Sequence, residues 1–151
     1  MRLDSRPLRA DDLPVVEPWF DDPDTRRWLG GREWPGRLLR LARAPDRLAV
    51  VYLLDRAPVA LLDLERLAPA NAAIAIVVSP AHRRRRVAAT VLGTLFALAE
   101  VDGVDQIVAE VERGNTAAQR LVRAAGFVPE RGAEPGFDRY RLTRDSAVGR
   151  E

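Results

Sequence analysis

Residues 79–95, SPAHRRRRVAATVLGTL, place four consecutive arginines between a proline turn and a run of apolar residues. Val87, Val91 and Leu95 recur at helical spacing, so a helix is predicted to begin directly after the arginines. The first N–H groups of a helix have no partner inside it, and together with the helix dipole they bind anions. Arginines at this end oppose the dipole, so helix stability does not explain them. The segment therefore indicates a phosphate site, a nucleic-acid contact or a solvated charge run.

The amino-acid composition excludes several kinds of chemistry. The chain of 151 residues has no cysteine, and its 24 basic residues are all arginine. Disulfides, thiolate nucleophiles, Schiff-base lysines and the lysine of a P-loop are therefore absent. The single histidine, His82, leaves too few ligands for a zinc site or a serine–histidine–acid triad. We expect no metal site, and we expect His82 to be an exposed loop residue.

The charge balance argues against a polyanionic partner. The formal net charge is only +2, because 22 acidic residues offset the arginines. So small a charge favours no strong attraction to nucleic acid or to a membrane, and no aromatic residues alternate with the four arginines to stack on bases. The sequence contains no apolar run of about 20 residues and no signal-peptide pattern, so we expect a cytoplasmic protein.

Hydrophobic spacing predicts an α+β fold. Strands are predicted at residues 2–8, 48–54, 58–65, 72–78, 106–111, 127–128 and 137–142. Helices are predicted at residues 13–20, 24–29, 37–43 and 118–125, with a long helix from residue 87 to about residue 99. We predict a single domain over residues 1–142, with a mixed, mostly antiparallel sheet of about six or seven strands flanked by helices. Residues 143–151 are predicted to be a loose tail.

Three segments resemble the GCN5-related N-acetyltransferases (GNAT), in the order of that family. Residues 78–88, VSPAHRRRRVA, are similar to the acetyl-CoA signature, in which a strand ending in Val-x-Pro leads into an Arg/Gln-x-x-Gly-x-Gly/Ala loop and a helix. Residues 115–127, NTAAQRLVRAAGF, are similar to the second signature, an asparagine followed by a helix that ends in Gly-Phe. Residues 6–13 and 19–23 resemble the branch with aminoglycoside 6'-acetyltransferase-like and ribosomal-protein acetyltransferase-like members. The resemblance implies a GNAT-like acyl-CoA N-acyltransferase fold and acetyl transfer from acetyl-CoA to a primary amine.

The resemblance also implies where the cofactor binds. The pantetheine arm would pair with the open end of a strand, and the pyrophosphate would lie on main-chain N–H groups of the loop and the helix start. The predicted cofactor-binding residues are Ile76, Val77, Val78, Arg83, Arg84, Arg85, Arg86, Val87, Ala88, Ala89 and Asn115. Asn115 could equally be the N-cap of the helix that follows it.

The loop departs from the family because its glycines are missing. Arg84 and Arg86 occupy the aligned positions, whereas glycine would let the backbone approach a phosphate and adopt unusual dihedral angles. If the loop enters the helix with right-handed dihedrals, arginine is allowed and its side chain can reach the phosphates. If a glycine dihedral is required, the site is impaired. We expect that cofactor binding is retained.

The usual catalytic residues of the family are also missing. Val122 stands where a tyrosine acid often lies, and residues 72–78 contain no glutamate base. Strand alternation puts Asp63 with Glu65 on one face and Glu110 with Glu112 on another. We predict Glu65 and Glu110 as amine-binding or basic groups, and we expect Asp63 and Glu112 to face solvent. Tyr140 is the predicted acid, and Tyr52 is the other phenol available for that role.

The acceptor is predicted to be a small-molecule or peptide amine bound by the N-terminal helices. Carboxylates and aromatic rings suited to a cation occur there: Asp21, Asp22, Asp24, Glu33, Trp19, Trp28 and Trp34. At least two of the tryptophans are expected in the core. Two other functions stay open: a non-catalytic acyl-CoA-binding or regulatory module, and an arginine-mediated nucleic-acid-binding domain. A homodimer also stays open.

Overall fold

The computed structural model describes residues 1–98 and 101–144. One sheet contains seven strands in the order β1-β2-β3-β4-β5-β7-β6. The strands are β1 (Asp4–Pro7), β2 (Arg47–Leu54), β3 (Ala57–Ala68), β4 (Asn71–Val78), β5 (Gln106–Glu112), β6 (Val128–Glu130) and β7 (Phe137–Thr143). The α-helices among the described residues are α1 (Leu13–Val16), α2 (Pro23–Trp28), α3 (Glu33–Leu41), α4 (Val87–Gly93) and α5 (Thr116–Ala124).

The sheet is mixed. β1 pairs antiparallel with β2, and β7 pairs antiparallel with both β5 and β6, whereas β4 and β5 run parallel. This arrangement confirms the predicted α+β class and the mostly antiparallel sheet. The three-residue β6 lies at one edge, where Pro129 is tolerated because an edge strand need not donate every N–H.

Prolines and a glycine account for the helices that differ from their predicted bounds. The predicted helix at residues 13–20 ends as α1 at Val16 and continues as a 3-10 turn, Glu17–Asp21, which contains Pro18. Conversely, α3 begins at Glu33 and includes Pro35, because a proline in the first turn removes an N–H that has no helical partner anyway. The long helix predicted from residue 87 is wrong in length. α4 ends at Gly93, a weak helix former, and a 3-10 turn follows at Leu95–Ala97.

The chain divides into two compact units: Met1–Leu64 with Ala75–Val91, and Glu65–Ile74 with the chain from Leu92 onward. In the first unit, α1, α3 and the 3-10 turn between them pack against buried residues of β2 and β3. Phe20 and Trp34 stack there with ring centroids 5.4 Å apart. The buried core of this unit comprises Leu8, Val16, Trp19, Phe20, Trp34, Leu38, Ala49, Val51, Leu61 and Val77. Trp19 and Trp34 are thus core residues, as expected for two of the three tryptophans.

In the second unit, α5 lies against β5 and β7. The strand residues Ile107, Ala109 and Leu142 are buried, and so is Val122 of α5. β7 ends at Thr143, one residue beyond the predicted domain boundary. Residues 145–151 lie outside the described residues, so the predicted tail stays a prediction.

A two-residue turn joins β2 to β3. Asp55 and Arg56 have φ angles of 50° and 72°, the left-handed pair that a type I′ hairpin turn requires. The predicted strands at residues 48–54 and 58–65 left residues 55–57 for the turn, but Ala57 is the first residue of β3.

Candidate functional site

The loop between β4 and α4 has the backbone shape that glycine would normally provide. Arg84 has a φ of 61° and Arg86 a φ of 64°, both in the left-handed region, whereas Arg85 between them is not among the residues with positive φ. Arg83 is extended, with φ −65° and ψ 152°. The right-handed entry that would accommodate arginine without strain is therefore not what the structure shows. A turn with left-handed residues directs successive N–H groups toward one side, which is the backbone geometry of many anion sites.

The main-chain donors of this loop are unused. Among the described residues, no N–H from Arg83 to Ala89 donates to a main-chain carbonyl, and the first N–H of the segment that does so is that of Thr90, to Arg86 at 3.0 Å. The Thr90 hydroxyl donates to the same carbonyl at 2.8 Å. The carbonyl of Arg86 is therefore satisfied twice, while a row of donors stays open. Because α4 has only seven residues, these donors rather than a long helix dipole dominate the site.

Three of the four arginine side chains are open to solvent. Arg84, Arg85 and Arg86 are exposed, and within residues 1–98 and 101–144 none of them has an ion-pair or hydrogen-bond partner for its guanidinium group. A guanidinium without a protein partner is available to an anionic ligand.

Arg83 differs from the other three because its side chain has protein partners. Its Nη2 donates to Asp22 Oδ2 at 2.7 Å and to Thr25 Oγ1 at 2.7 Å. Asp22 is the N-cap of α2, where its carboxylate accepts from the N–H of Thr25 at 3.1 Å. The hydrogen bond from Arg83, opposed by desolvation, holds the pKa of Asp22 below its usual value. Arg83 was predicted to bind cofactor, but its guanidinium is used to join the loop to α2.

The strand that leads into this loop pairs with β5 only near its start. The register of β4 with β5 joins only residues 71–73 to residues 106–108. Beyond it, Ile74, Ala75, Ile76 and Val78 are half-buried although all four are apolar and β4 is central in the strand order. The predicted cofactor residue Val77 is buried and belongs to the core of the first unit.

Asn115 is the N-cap of α5. Its side chain accepts from the N–H of Ala118 at 3.2 Å, which is the structural role weighed from the sequence. It belongs to the second unit, whereas the loop belongs to the first. A cofactor contact for Asn115 stays a prediction.

Glu110 lies on an exposed, charged face of β5 and β7. It pairs directly across the strands with Arg139, and their closest charged atoms are 3.6 Å apart. Arg139 also donates to Glu130 of β6 at 2.6 Å, and Arg141 donates to the same carboxylate at 2.7 Å. These bonds, with that from Arg141 first, hold the pKa of Glu130 below its usual value. Of Glu110 and Glu130, Glu110 has the longer ion pair.

The other two predicted catalytic residues lie in different surroundings. Tyr140 is 1% exposed, and its hydroxyl donates to Gln119 Oε1 and accepts from Arg123 Nε at 3.2 Å. Sequence reasoning missed Gln119. The only signal for it was the presence of a polar residue one helical turn after the N-cap Asn115. Glu65 is half-buried on β3. The catalytic roles of Glu65, Glu110 and Tyr140 stay predictions.

Residues 8–127 match the sequence model of the acetyltransferase (GNAT) family, and this match covers most of the chain. The chain belongs to the GNAT family. No curated protein sequence matches it significantly. The resemblance noted in the sequence is therefore confirmed.

Solved structures of GNAT proteins share this fold. The aminoglycoside acetyltransferase AAC(6')-Ib in complex with coenzyme A has a TM-score of 0.84 at 15% identity, with 98% of each chain covered. Spermidine N-acetyltransferase from Vibrio cholerae, in complex with CoA and spermine, has a TM-score of 0.79 at 16% identity over 97% of this chain and 98% of the other. An acetyltransferase from Thermus thermophilus has a TM-score of 0.80 at 24% identity, covering 95% and 97%. At these identities the likeness shows the fold.

The carboxylates predicted to bind the acceptor of this GNAT protein are mostly engaged by the chain itself. Asp21 accepts from Arg32 at 2.7 and 2.8 Å, and Glu33 accepts from the N–H of Gly31 at 3.2 Å. The hydrogen bond from Arg32 lowers the pKa of Asp21. Asp24 is open to solvent, with its side chain 76% exposed. Trp28, the third tryptophan, is half-buried with the guanidinium of Arg27 4.5 Å from its ring centroid.

The structure also bears on His82, on membrane-spanning helices and on metal ligands. His82 is half-buried rather than exposed, and its Nδ1 is shielded from solvent without a hydrogen-bond partner among the described residues. No described helix of this GNAT protein has the length and apolar character needed to span a bilayer. Within the same residues, no three His, Cys, Asp or Glu side chains cluster as metal ligands.

Proposed function

We propose that this GNAT protein is an acetyl-CoA-dependent N-acetyltransferase acting on a primary amine of a small molecule or peptide. The observation that carries the proposal is the row of unused N–H donors from Arg83 to Ala89 on a loop with positive φ at Arg84 and Arg86. Such a row is suited to a pyrophosphate, whose oxygens accept several N–H groups at once. The GNAT proteins of the same fold that were crystallised with coenzyme A support the choice of ligand.

The residues present fit the cofactor. The open N–H groups of residues 84–89 would hold the pyrophosphate, and the exposed guanidinium groups of Arg84, Arg85 and Arg86 would add charge-assisted bonds to phosphate oxygens. The end of β4 would offer the main-chain groups of Ile76 and Val78 to the amide-rich pantetheine arm, as an added strand does. Arg83 is occupied by Asp22 and Thr25, so we assign it no phosphate.

The chemistry is a direct transfer. Acetyl-CoA, when bound, supplies the acetyl group as a thioester, whose C–S bond breaks as the new C–N bond forms. The protein must hold the amine close to the thioester, remove its proton and leave the thiolate stabilised. Glu110 is the proposed base, because it is an exposed carboxylate and Arg139 lies 3.6 Å from it rather than in a tight pair. Glu65 and Tyr140 are kept as further candidates.

Loss of one main-chain donor tests the cofactor site without altering charge. Ala89→Pro removes an N–H at the third position of α4, and α3 already carries Pro35 at its own third position. We expect CoA to bind about tenfold or more weakly, since a hydrogen bond to a charged group contributes about 1.5–3 kcal/mol. Isothermal titration calorimetry measures the affinity, and Ala89→Ser, which keeps the N–H, is the matched control. Equal affinity for the two variants would remove the main-chain site from the proposal.

Turnover separates an enzyme from a binding module. Release of free CoA across a panel of amines should identify an acceptor, and Glu110→Gln should then lower kcat by about 10²–10⁴. Glu112→Gln is the control on the same strand. CoA binding with no turnover on any amine would favour the regulatory module instead, a reading to which the fully bonded hydroxyl of Tyr140 lends support.

A further inference from the structure

We propose that Arg83 is a positioning residue: it fixes the start of the phosphate loop to the N-terminus of α2, through Asp22 and Thr25, and it does not bind phosphate. The inference rests on the proposed function for the role of the loop. It is carried by two hydrogen bonds within the first unit, from Arg83 to Asp22 and to Thr25, which lie 61 and 58 positions away in the sequence.

The three side chains form a closed set of hydrogen bonds. Nη2 of Arg83 has two hydrogens, and it lies 2.7 Å from Asp22 Oδ2 and 2.7 Å from Thr25 Oγ1. The Thr25 hydroxyl can accept from Arg83 and donate to Asp22, whose Oδ2 is 3.3 Å away. Both hydrogens of Nη2 thus have an acceptor within the set. A guanidinium that is held in this way cannot turn its Nη2 toward a ligand.

Partial burial makes this contact stronger than an ordinary surface pair. Thr25 is 3% exposed as a residue, and the side chains of Asp22 and Arg83 are 23% and 36% exposed. Surface ion pairs contribute little because water screens them, whereas shielded, charge-assisted hydrogen bonds contribute more. The comparison within the loop is direct: Arg84, Arg85 and Arg86 are exposed and have no described partner.

The position of Arg83 explains why the loop needs a fixed start. The two residues with positive φ, Arg84 and Arg86, follow it directly, and each is held in a conformation that arginine disfavours. A strained segment keeps its shape only when its surroundings fix it. Arg83 fixes the N-terminal end, and the two bonds of Thr90 to the Arg86 carbonyl fix the C-terminal end.

The test uses the sign of a charge effect. Asp22→Asn removes a negative charge close to a proposed anion site, so electrostatics alone would tighten CoA binding. The positioning role predicts weaker CoA binding instead, because Arg83 loses the Asp22 carboxylate that accepts its hydrogen bond. Asparagine is as good an N-cap as aspartate, so α2 should be retained. Asp24→Asn is the control, because it removes the same charge from an exposed carboxylate that lies 4.0 Å from Arg83.

By calorimetry with CoA, Asp22→Asn and Arg83→Met should each weaken binding about tenfold, and the double variant should be no weaker than either single one. Arg83→Lys should restore part of the affinity, since an ammonium can pair with Asp22 without reaching both acceptors in a fixed geometry. Asp24→Asn should bind as tightly as the wild type or more tightly. Equal affinities for Asp22→Asn and Asp24→Asn would overturn the proposal. So would a loss confined to Arg83→Met and accompanied by weaker salt dependence, which would make Arg83 a phosphate ligand.

A second measurement needs no cofactor. Trypsin cleaves after arginine, so its cleavage after residues 84, 85 and 86, followed by mass spectrometry, reports how firmly the free loop is held. Cleavage there should be several-fold faster in Asp22→Asn than in Asp24→Asn, and equal rates would overturn the positioning role. If the wild type binds no CoA, the proposed function fails, while this measurement still decides whether Arg83 holds the loop.

Discussion

Replacing Arg84 and Arg86 by glycine should make this GNAT protein more stable, although both changes remove large side chains. The reason is the backbone. Both residues have φ angles above 60°, where a Cβ atom crowds the following carbonyl and glycine has no such conflict. Both side chains are exposed, so little packing is lost with them. The stability change therefore measures the backbone strain at these positions.

The expected magnitude follows from two opposing terms. Left-handed φ costs a non-glycine residue roughly 1–2 kcal/mol. Relief of this strain stabilises the folded protein, but glycine also makes the unfolded chain more flexible, which lowers the free energy of unfolding by about 0.4–1 kcal/mol. The net gain is about 0.5–1 kcal/mol at each position, or about 1–2 kcal/mol for the double variant. For a chain of this length that corresponds to a rise in Tm of roughly 2–8 °C.

Arg85→Gly is the matched control. It removes the same charge from the same exposed loop, but Arg85 is not among the residues with positive φ, so only the unfolded-state cost of glycine applies. Urea unfolding should therefore show Arg85→Gly less stable than the wild type by about 0.4–1 kcal/mol, while Arg84→Gly and Arg86→Gly are more stable. If all three variants move in the same direction, charge repulsion or a different loop conformation dominates, and the assigned backbone shape is refuted.

Three further outcomes are expected. Arg56→Gly should stabilise the hairpin by about 0.5–1 kcal/mol in urea unfolding, because its φ of 72° suits glycine in a type I′ turn; a loss of stability would contradict that turn. Asp12→Asn should cost about 2–3 kcal/mol, because the carboxylate is 5% exposed and accepts two bonds from Arg6 at 2.7 Å. The hydrogen bond from Arg6 lowers the pKa of Asp12. The stability that this carboxylate contributes is therefore present above the unfolded pKa of about 3.9 and is lost as the pH falls through the lower folded value. Between about pH 5 and pH 2, the free energy of unfolding of Asp12→Asn should depend less on pH than that of the wild type. Tyr140→Phe should lower stability by about 1–2 kcal/mol, because the half-buried Gln119 loses the donor that the buried tyrosine supplies; an unchanged unfolding midpoint would show that this hydrogen bond contributes nothing.

The fold was predictable because its signals are local and repeated. Apolar runs set the strands, and the Asn115 N-cap and the closing glycine set α5. The errors arose where one residue changes the helix type. Pro18 converts the end of α1 to a 3-10 turn, and Gly93 ends α4 early. Neither outcome follows from hydrophobic spacing alone.

The candidate site was only partly predictable, for reasons of distance and energy. Arginine intrinsically prefers right-handed dihedrals, so no local rule predicts positive φ at Arg84 and Arg86. The bond from Arg83 to Asp22 joins residues 61 positions apart, and the sequence assigned these two residues to different ligands. The pairing of Glu110 with Arg139 depends on strand register, which the alternation of side chains does not fix between distant strands.

The left-handed loop also has a genetic consequence. Every arginine codon becomes a glycine codon through a change of its first base, so the relaxed backbone at residues 84 and 86 is one nucleotide substitution away at each position. The same substitution at Arg85 frees a residue that carries no such strain, and at Arg83 it abolishes the link to α2. Identical mutations in four adjacent codons are therefore expected to have different effects on fitness, and backbone handedness, more than charge, decides which of them are tolerated.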